Sequence, residues 1–121
     1  MDRQTIEQRL QDLGADAPRL APDDISRVIM SEAFHVFPGT TQTVCCLMLV
    51  NGYTVIGESA AVSAANFDAE IGREVARSNA RDKIWALEGY ALKERLLARA
   101  KRHAHAERIQ AAVDDLEGMT E

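Results

Sequence analysis

Apolar residues recur along the chain with two different periods, and the change of period separates predicted helices from predicted strands. Near the N-terminus, the segment TIEQRLQDLG predicts a short helix that ends at Gly14, and a linker with two prolines follows it. A second helix is predicted from Pro22, because acidic residues follow the proline and apolar residues recur at helical spacing as far as Phe34. Pro38 is expected to end that helix.

The next segment, TQTVCCLMLVNGYTVIGESAAV, predicts a β-hairpin over about residues 41–60. Asn51-Gly52 is a strong signal for a two-residue turn with positive φ at both positions, which would pair Met48 with Val55. The first strand is apolar on both faces, and a hairpin alone is not stable in water. Helices can cover one face, and the other requires more helix or a second copy of the chain. We therefore expect a dimer.

Two longer helices are predicted after the hairpin, from Asp68 to about Leu87 and from about Tyr90 to His105. The predicted fold class is α+β, with a small antiparallel sheet built on the hairpin, N-terminal helices and two longer C-terminal helices. A stripe of mostly small residues on the first long helix allows close approach of another backbone: Ala69, Gly72, Ala76, Ala80, Ile84 and Leu87.

Three regions are predicted from these elements. Residues 1–20 form an N-terminal helix and linker, residues 21–108 form a single α+β domain, and residues 109–121 form an acidic C-terminal tail.

Net positive charge is confined to one part of an acidic chain. The net charge is −5, yet residues 73–102 carry nine basic and four acidic side chains. An overall negative charge argues against general affinity for nucleic acid. The pattern favours a local anion site.

Arg73, Arg77 and Arg81 follow one another at four-residue intervals on the first long helix. Such a ladder is most often a solvated face with nearby carboxylates, each pair contributing only about 0.3–0.5 kcal/mol. Two other residues favour an anion site. Asn79 lies between the ladder and the apolar stripe, and Phe67 precedes the helix either as a hydrophobic staple or as a ring platform beside backbone N–H groups. Trp85 is predicted to lie in the core.

The sequence contains no motif of a known catalytic or cofactor site. There is no G-x-S-x-G, H-E-x-x-H, P-loop or dinucleotide-binding glycine motif, and His103 and His105 diverge on a helix. We predict no catalytic residues, no cofactor and no metal. The adjacent Cys45 and Cys46 are predicted to be free, buried thiols. Without a signal peptide or an apolar run of about 18 residues, the chain is expected to be cytoplasmic and not membrane-bound.

Two longer segments resemble a known family. TVCCLMLVNGYTVIGESAAV and NFDAEIGREVARSNARDKIWALEGYALKERL are similar to a small phage protein family named after phage genes forty-nine and sixty-six. That family includes the first type of Thoeris anti-defence protein. The resemblance covers about residues 25–97, and its motifs are TVC, the NG hairpin, NFD-x-EIG and KIW-x-LEGY.

The resemblance implies a phage anti-defence protein that acts as a sponge. Such proteins bind a cyclic ADP-ribose isomer made by bacterial TIR-domain (Thoeris) proteins and hold it without cleaving it, so that the defence effector is not activated. Some relatives also hold cyclic trinucleotides and assemble as trimers of dimers. The implied fold is a small antiparallel sheet with helices, with ligand pockets between subunits.

The ligand has three kinds of group to bind. Its pyrophosphate requires guanidinium or backbone N–H donors, its adenine requires a ring or guanidinium to stack on, and its ribose hydroxyls require an amide or a carboxylate. The predicted ligand-binding residues supply these types: Phe67, Arg73, Arg77, Asn79, Lys83 and Arg95. The alternative is a phage adaptor that binds a host protein's acidic patch through the basic helix. A nucleic-acid-binding protein and an enzyme that degrades the nucleotide are further alternatives, opposed by the net charge and by the missing nucleophile or metal set.

Overall fold

The computed structural model describes residues 1–119. Within these residues, three α-helices and three strands follow one another, with one short 3₁₀ turn before the last helix: α1 (Arg3–Asp12), α2 (Pro22–Val28), β1 (Ile29–Val36), β2 (Thr43–Leu49), β3 (Thr54–Ser59), the 3₁₀ turn (Ala64–Asn66) and α3 (Ala69–Met119). The strands form one antiparallel sheet in the order β1-β2-β3. The predicted α+β class, with an antiparallel sheet and N-terminal helices, is confirmed.

The chain divides into two compact units, Met1–Gly89 and Tyr90–Glu121. The first unit contains the sheet, α1, α2 and the first part of α3. The described part of the second unit is helical throughout.

The prediction that the second helix continues as far as Pro38 was wrong, because the helix ends at Val28 and a strand begins at Ile29. β1 pairs along most of its length with β2, with an irregularity between Ile29 and Ser31. The apolar spacing of this segment fits either element, and pairing with β2 satisfies its backbone groups. The sheet therefore has three strands and not only the hairpin pair.

The hairpin forms at the predicted place but with a different turn. Gly52 has φ of 89°, whereas Asn51 does not have positive φ. Met48 pairs with Thr54 and not with Val55, so the loop contains one residue more than predicted. The Asn51 side chain accepts a hydrogen bond from the backbone N–H of Tyr53 at 3.0 Å. A three-residue loop needs only its last position in the left-handed region, which Gly52 supplies.

One face of the sheet carries the core of the first unit. Alternate residues of β2 are buried on this face, and α3 contributes its small-residue stripe at three positions. The contact is close at Gly57, where a Cβ atom would overlap the backbone of Ala76 and Ala80. The buried apolar residues are Ile25, Cys45, Leu47, Leu49, Val55, Ala76, Ala80 and Ile84.

The other face of the sheet is open. Ala33, Cys46 and Ile56 form a cross-strand row on this face, which we call the open sheet face. Ile56 is 44% exposed, and Met48 beside it is 39% exposed. Cys46 lies on this face and is only half-buried, so the prediction of two buried thiols was wrong for Cys46. Cys45 is buried as predicted, and its burial raises the pKa of its thiol. Both cysteines are free.

The two predicted C-terminal helices are one continuous helix, α3, which runs from Ala69 to Met119. The predicted break at residues 88–89 does not occur. Gly89 is the only weak helix former there, and a single glycine inside a helix costs only about 1 kcal/mol. No proline separates the two segments.

Candidate functional site

The part of α3 in the first unit presents two polar flanks on either side of its buried stripe. Arg73, Arg77 and Arg81 recur at four-residue intervals on one side, which we call the β1 flank because Arg77 reaches Glu32 of β1. On the side next to β3, Asn79 and Lys83 reach carbonyl oxygens of that strand, and we call this side the β3 flank. At 100° per residue the two flanks diverge, so the predicted ligand residues do not converge within this unit.

Arg77 is the most highly paired side chain of the β1 flank. Its Nε and Nη2 each donate to one carboxylate oxygen of Glu32 at 2.8 Å, and its Nη1 donates to Glu74. The guanidinium also lies 5.1 Å from the centre of the Phe34 ring. These hydrogen bonds lower the pKa of Glu32 and raise the pKa of Arg77. A bound phosphate would therefore compete with two carboxylates for this guanidinium.

A cleft of about 420 Å³ adjoins Arg77, and we call it the Trp85 cleft. Arg3 of α1 lies over the Trp85 ring, with its guanidinium carbon 4.0 Å from the ring centre. Arg81 donates a hydrogen bond to the Ser26 hydroxyl at 2.9 Å. The cleft thus combines three guanidiniums, an aromatic face and several polar groups; its lining is Arg3, Gln4, Pro22, Glu74, Arg77, Ser78, Arg81, Asp82 and Trp85.

Trp85 contacts both the core and the cleft. It is half-buried and packs against the core, which agrees with the prediction of a core residue. Its ring also lines the cleft and carries Arg3, which the sequence did not indicate. Besides the ring contact, Arg3 forms a long ion pair with Asp82, at 3.7 Å with both side chains at least half exposed. Such exposed pairs contribute little, so the contact with the Trp85 ring, and not the ion pair, is the main interaction that positions Arg3.

On the β3 flank, Phe67 lines a smaller cavity of about 200 Å³, which we call the Phe67 cavity. Two of the backbone N–H groups at the start of α3 are already occupied, because the Asp68 side chain accepts hydrogen bonds from Glu70 N at 2.9 Å and Ile71 N at 3.1 Å. The phosphate position predicted beside Phe67 is therefore taken by the chain's own carboxylate. Thr43 lies deeper, and its buried hydroxyl has no hydrogen-bond partner among the described residues.

Asn79 and Lys83 contact the outer strand of the sheet. Asn79 donates to the carbonyl oxygen of Glu58 at 2.7 Å, and Lys83 donates to the carbonyl oxygen of Ile56. These contacts explain the amide at a helical position where a better helix former would be expected. Their roles in ligand binding stay predictions.

Arg73 and Arg95 complete the predicted set. Both side chains are exposed, and neither forms an ion pair within residues 1–119. Arg95 belongs to the second unit.

Sequence reasoning missed Arg3 and the open face of Trp85. Arg3 lies in the first twenty residues, for which the resemblance gave no guidance, and a lone arginine on a short helix carries no local signal. Arg81 was visible in the ladder but was not placed among the ligand residues. Across the described chain, no three His, Cys, Asp or Glu side chains are grouped as metal ligands.

The comparisons with known proteins bear on this fold. A family model described as the phage protein (N4 Gp49/phage Sf6 gene 66) family matches residues 20–96. The chain belongs to that family. The matched residues of this phage family include both flanks of α3, the whole sheet and Trp85. Arg3 and the last part of α3 lie outside the match.

Comparisons with curated proteins and with solved structures gave no significant match. Within residues 1–119, no helix has the length and apolar character needed to cross a membrane.

Proposed function

We propose that this phage protein binds and sequesters a cyclic ADP-ribose isomer made by bacterial TIR-domain proteins, without cleaving it. The observation that carries the proposal is the Trp85 cleft, where Arg3, Arg77 and Arg81 meet an aromatic ring in a space of about 420 Å³. Small-molecule sites typically measure about 300–1,000 Å³. Membership of the phage family is consistent with this function.

The groups of the cleft match the parts of the ligand. Guanidiniums bind pyrophosphate through paired N–H donors. Arg81 donates a hydrogen bond to the Ser26 hydroxyl and forms no ion pair within residues 1–119. The adenine would lie between the Arg3 guanidinium and the Trp85 ring, so that Arg3 forms the layer above the base. Glu74 and Asp82 line the same cleft and can accept hydrogen bonds from ribose hydroxyls.

The β3 flank supplies a second set of the predicted residues. Phe67 lines its own cavity, and Asn79 and Lys83 lie further along the same side of α3. In an oligomer, the β3 flank of one copy could meet the β1 flank of another, which would bring the two sets to one ligand. The resemblance implies such pockets between subunits, and we include this arrangement in the proposal.

Calorimetry with cyclic ADP-ribose isomers tests the proposal. We expect Arg81→Gln and Arg3→Gln to weaken binding about ten- to a hundredfold, because each removes a charged hydrogen-bond donor or the layer above the ring. Arg108→Gln is the matched control, since it removes the same charge outside the Trp85 cleft and outside both flanks, and it should change the affinity little. Lys83→Gln then tests the β3 flank, and it too should change little if the Trp85 cleft alone holds the phosphates.

Three other outcomes are informative. Loss of binding in Lys83→Gln alone would move the phosphate site to the β3 flank. Loss in variants of both flanks, with unchanged melting temperatures, would support a pocket shared between copies. Absence of heat from the wild-type protein with every isomer would contradict the proposal and favour an adaptor. Heating the loaded protein and identifying the released ligand by mass spectrometry distinguishes sequestration from cleavage, since a sponge returns the ligand intact.

A further inference from the structure

The second unit is a helix with an unusual charge distribution. Residues 90–105 carry five basic and one acidic side chain, whereas residues 106–119 carry one basic and four acidic side chains. The acidic half lies at the C-terminal end of α3, where the helix dipole disfavours negative charge, and the last turn contains no basic residue. The charge order therefore does not stabilise the helix by itself.

One face of this helix repeats with the spacing of a coiled coil. Six residues fall on heptad positions of a single line, which we call the seam: Arg95, Arg99 and Arg102 in the basic half, and Ile109, Val113 and Leu116 in the acidic half. The three apolar residues are exposed by 53%, 39% and 63%. None of the three arginines forms an ion pair or a hydrogen bond in the described part of the chain.

We infer that the second unit pairs with the same helix of another copy in antiparallel orientation along this seam. An antiparallel pair places the arginines of one helix over the apolar residues of the other, where their aliphatic stems can cover Ile109, Val113 and Leu116. Their guanidiniums then lie in the acidic half of the other helix, which carries four carboxylates between residues 106 and 119.

The orientation follows from the charges. Two parallel copies would place the basic half on the basic half and the acidic half on the acidic half, so both ends would repel. In the antiparallel pair each basic half meets an acidic half, and the contact is the same from both copies, as a two-fold interface requires. Most of the seam lies outside the family match, which ends at residue 96. The inference does not depend on the proposed ligand.

Engineered cysteines in the full chain test the orientation. Ala98 and Ala112 are exposed and flank the same side of the seam. In the antiparallel pair, Ala98 of one copy faces Ala112 of the other, whereas the two Ala98 positions lie about 20 Å apart along the axis. A mixture of A98C and A112C chains should therefore form a mixed disulfide under air oxidation, while each variant alone should not. Wild-type protein controls for Cys45 and Cys46.

Charge reversal tests the cause of the pairing. Adding Arg99→Glu and Arg102→Glu to both cysteine variants should lower the yield of the mixed disulfide about tenfold, because acidic groups would then face acidic groups. Lys93→Glu with Lys101→Glu is the matched control, since it makes the same change of charge away from the seam and should alter the yield less than about twofold.

Two results would overturn the inference. Homodisulfides of A98C alone and of A112C alone, as abundant as the mixed product, would show parallel pairing or random collision. Equal yields in the arginine and lysine variants would show that the seam does not hold the helices. Far-ultraviolet circular dichroism of each variant excludes loss of helix as the cause of a low yield.

Discussion

At the scale of single residues, the pair of Arg77 and Glu32 links α3 to β1 through two hydrogen bonds of 2.8 Å. Glu32 is exposed enough, at 40% of its side chain, that water screens part of the attraction. The pair nonetheless affects the Trp85 cleft, because it holds Arg77, one of the three guanidiniums that line the cleft, in a fixed position. The same contact lowers the pKa of Glu32.

We expect Glu32→Gln to lower the free energy of unfolding by about 0.5–1.5 kcal/mol at pH 7. The pKa of Glu32 is lower in the folded than in the unfolded chain, so the stabilisation is complete above the unfolded pKa and is lost as pH falls through the folded pKa. Urea unfolding at pH 7 and pH 3 measures this, and the difference between wild type and variant should shrink at pH 3. Glu74→Gln is the control, since that carboxylate is more exposed. A difference independent of pH would contradict the linkage.

At the scale of elements, Gly52 and Asn51 stabilise the hairpin turn in different ways. Gly52 has positive φ, and Asn51 contributes a side-chain hydrogen bond to the backbone of Tyr53. Gly52→Val should destabilise the protein by about 1–3 kcal/mol because a β-branched residue is strained in this conformation. Asn51→Ala should cost less, about 0.5–1.5 kcal/mol, since only one hydrogen bond is lost. Chemical denaturation of both variants measures the order, and a larger loss for Asn51→Ala would refute it.

Some of these elements could be predicted from the sequence, and others could not. Asn51-Gly52 located the hairpin, but the dipeptide does not determine loop length, so the predicted register was one residue wrong. β1 was assigned to a helix because its apolar residues fit both periods, and only pairing with β2 decides between them. The buried positions Ala76, Ala80 and Ile84 followed from helical spacing. The two helices predicted on either side of residues 88–89 are one helix, because a single glycine costs only about 1 kcal/mol in a helix interior.

The predicted site illustrates the same limit. Four-residue spacing correctly placed Arg73, Arg77 and Arg81 on one side of α3. It could not show that Arg77 donates hydrogen bonds to the carboxylate of Glu32, which lies forty-five residues earlier in the chain. Nor could it show that Arg3 covers Trp85. Contacts between residues distant in sequence depend on the packing of elements, which the residue types alone do not encode.

At the scale of the whole molecule, the open sheet face exposes apolar side chains to solvent. Ala33, Cys46 and Ile56 form its central row, and α3 packs on the opposite face. Monomers rarely expose large contiguous apolar patches. We therefore expect a second copy to cover this face, in addition to any pairing of the helices.

Light scattering should report at least a dimer for the wild-type chain at micromolar concentration. Ile56→Lys should lower the mass, because burying an ammonium in this contact without a partner is costly. The measurement is made in the Arg99→Glu, Arg102→Glu background so that helix pairing does not mask the change. Val62→Lys is the control, since Val62 is fully exposed in a loop. A wild-type monomer, or equal masses for both lysine variants, would contradict this expectation.

The close approach at Gly57 has a consequence for how the family can vary in sequence. Core positions usually change in compensating pairs, because a larger side chain on one element can be matched by a smaller one on its neighbour. A Cβ at position 57 would overlap the main chain of Ala76 and Ala80, and main chain cannot be made smaller by substitution. Position 57 should therefore be invariant rather than covarying among homologues that keep α3 at this distance from β3. An alignment would show it as a fixed glycine beside a stripe of small residues that varies only where side chains meet.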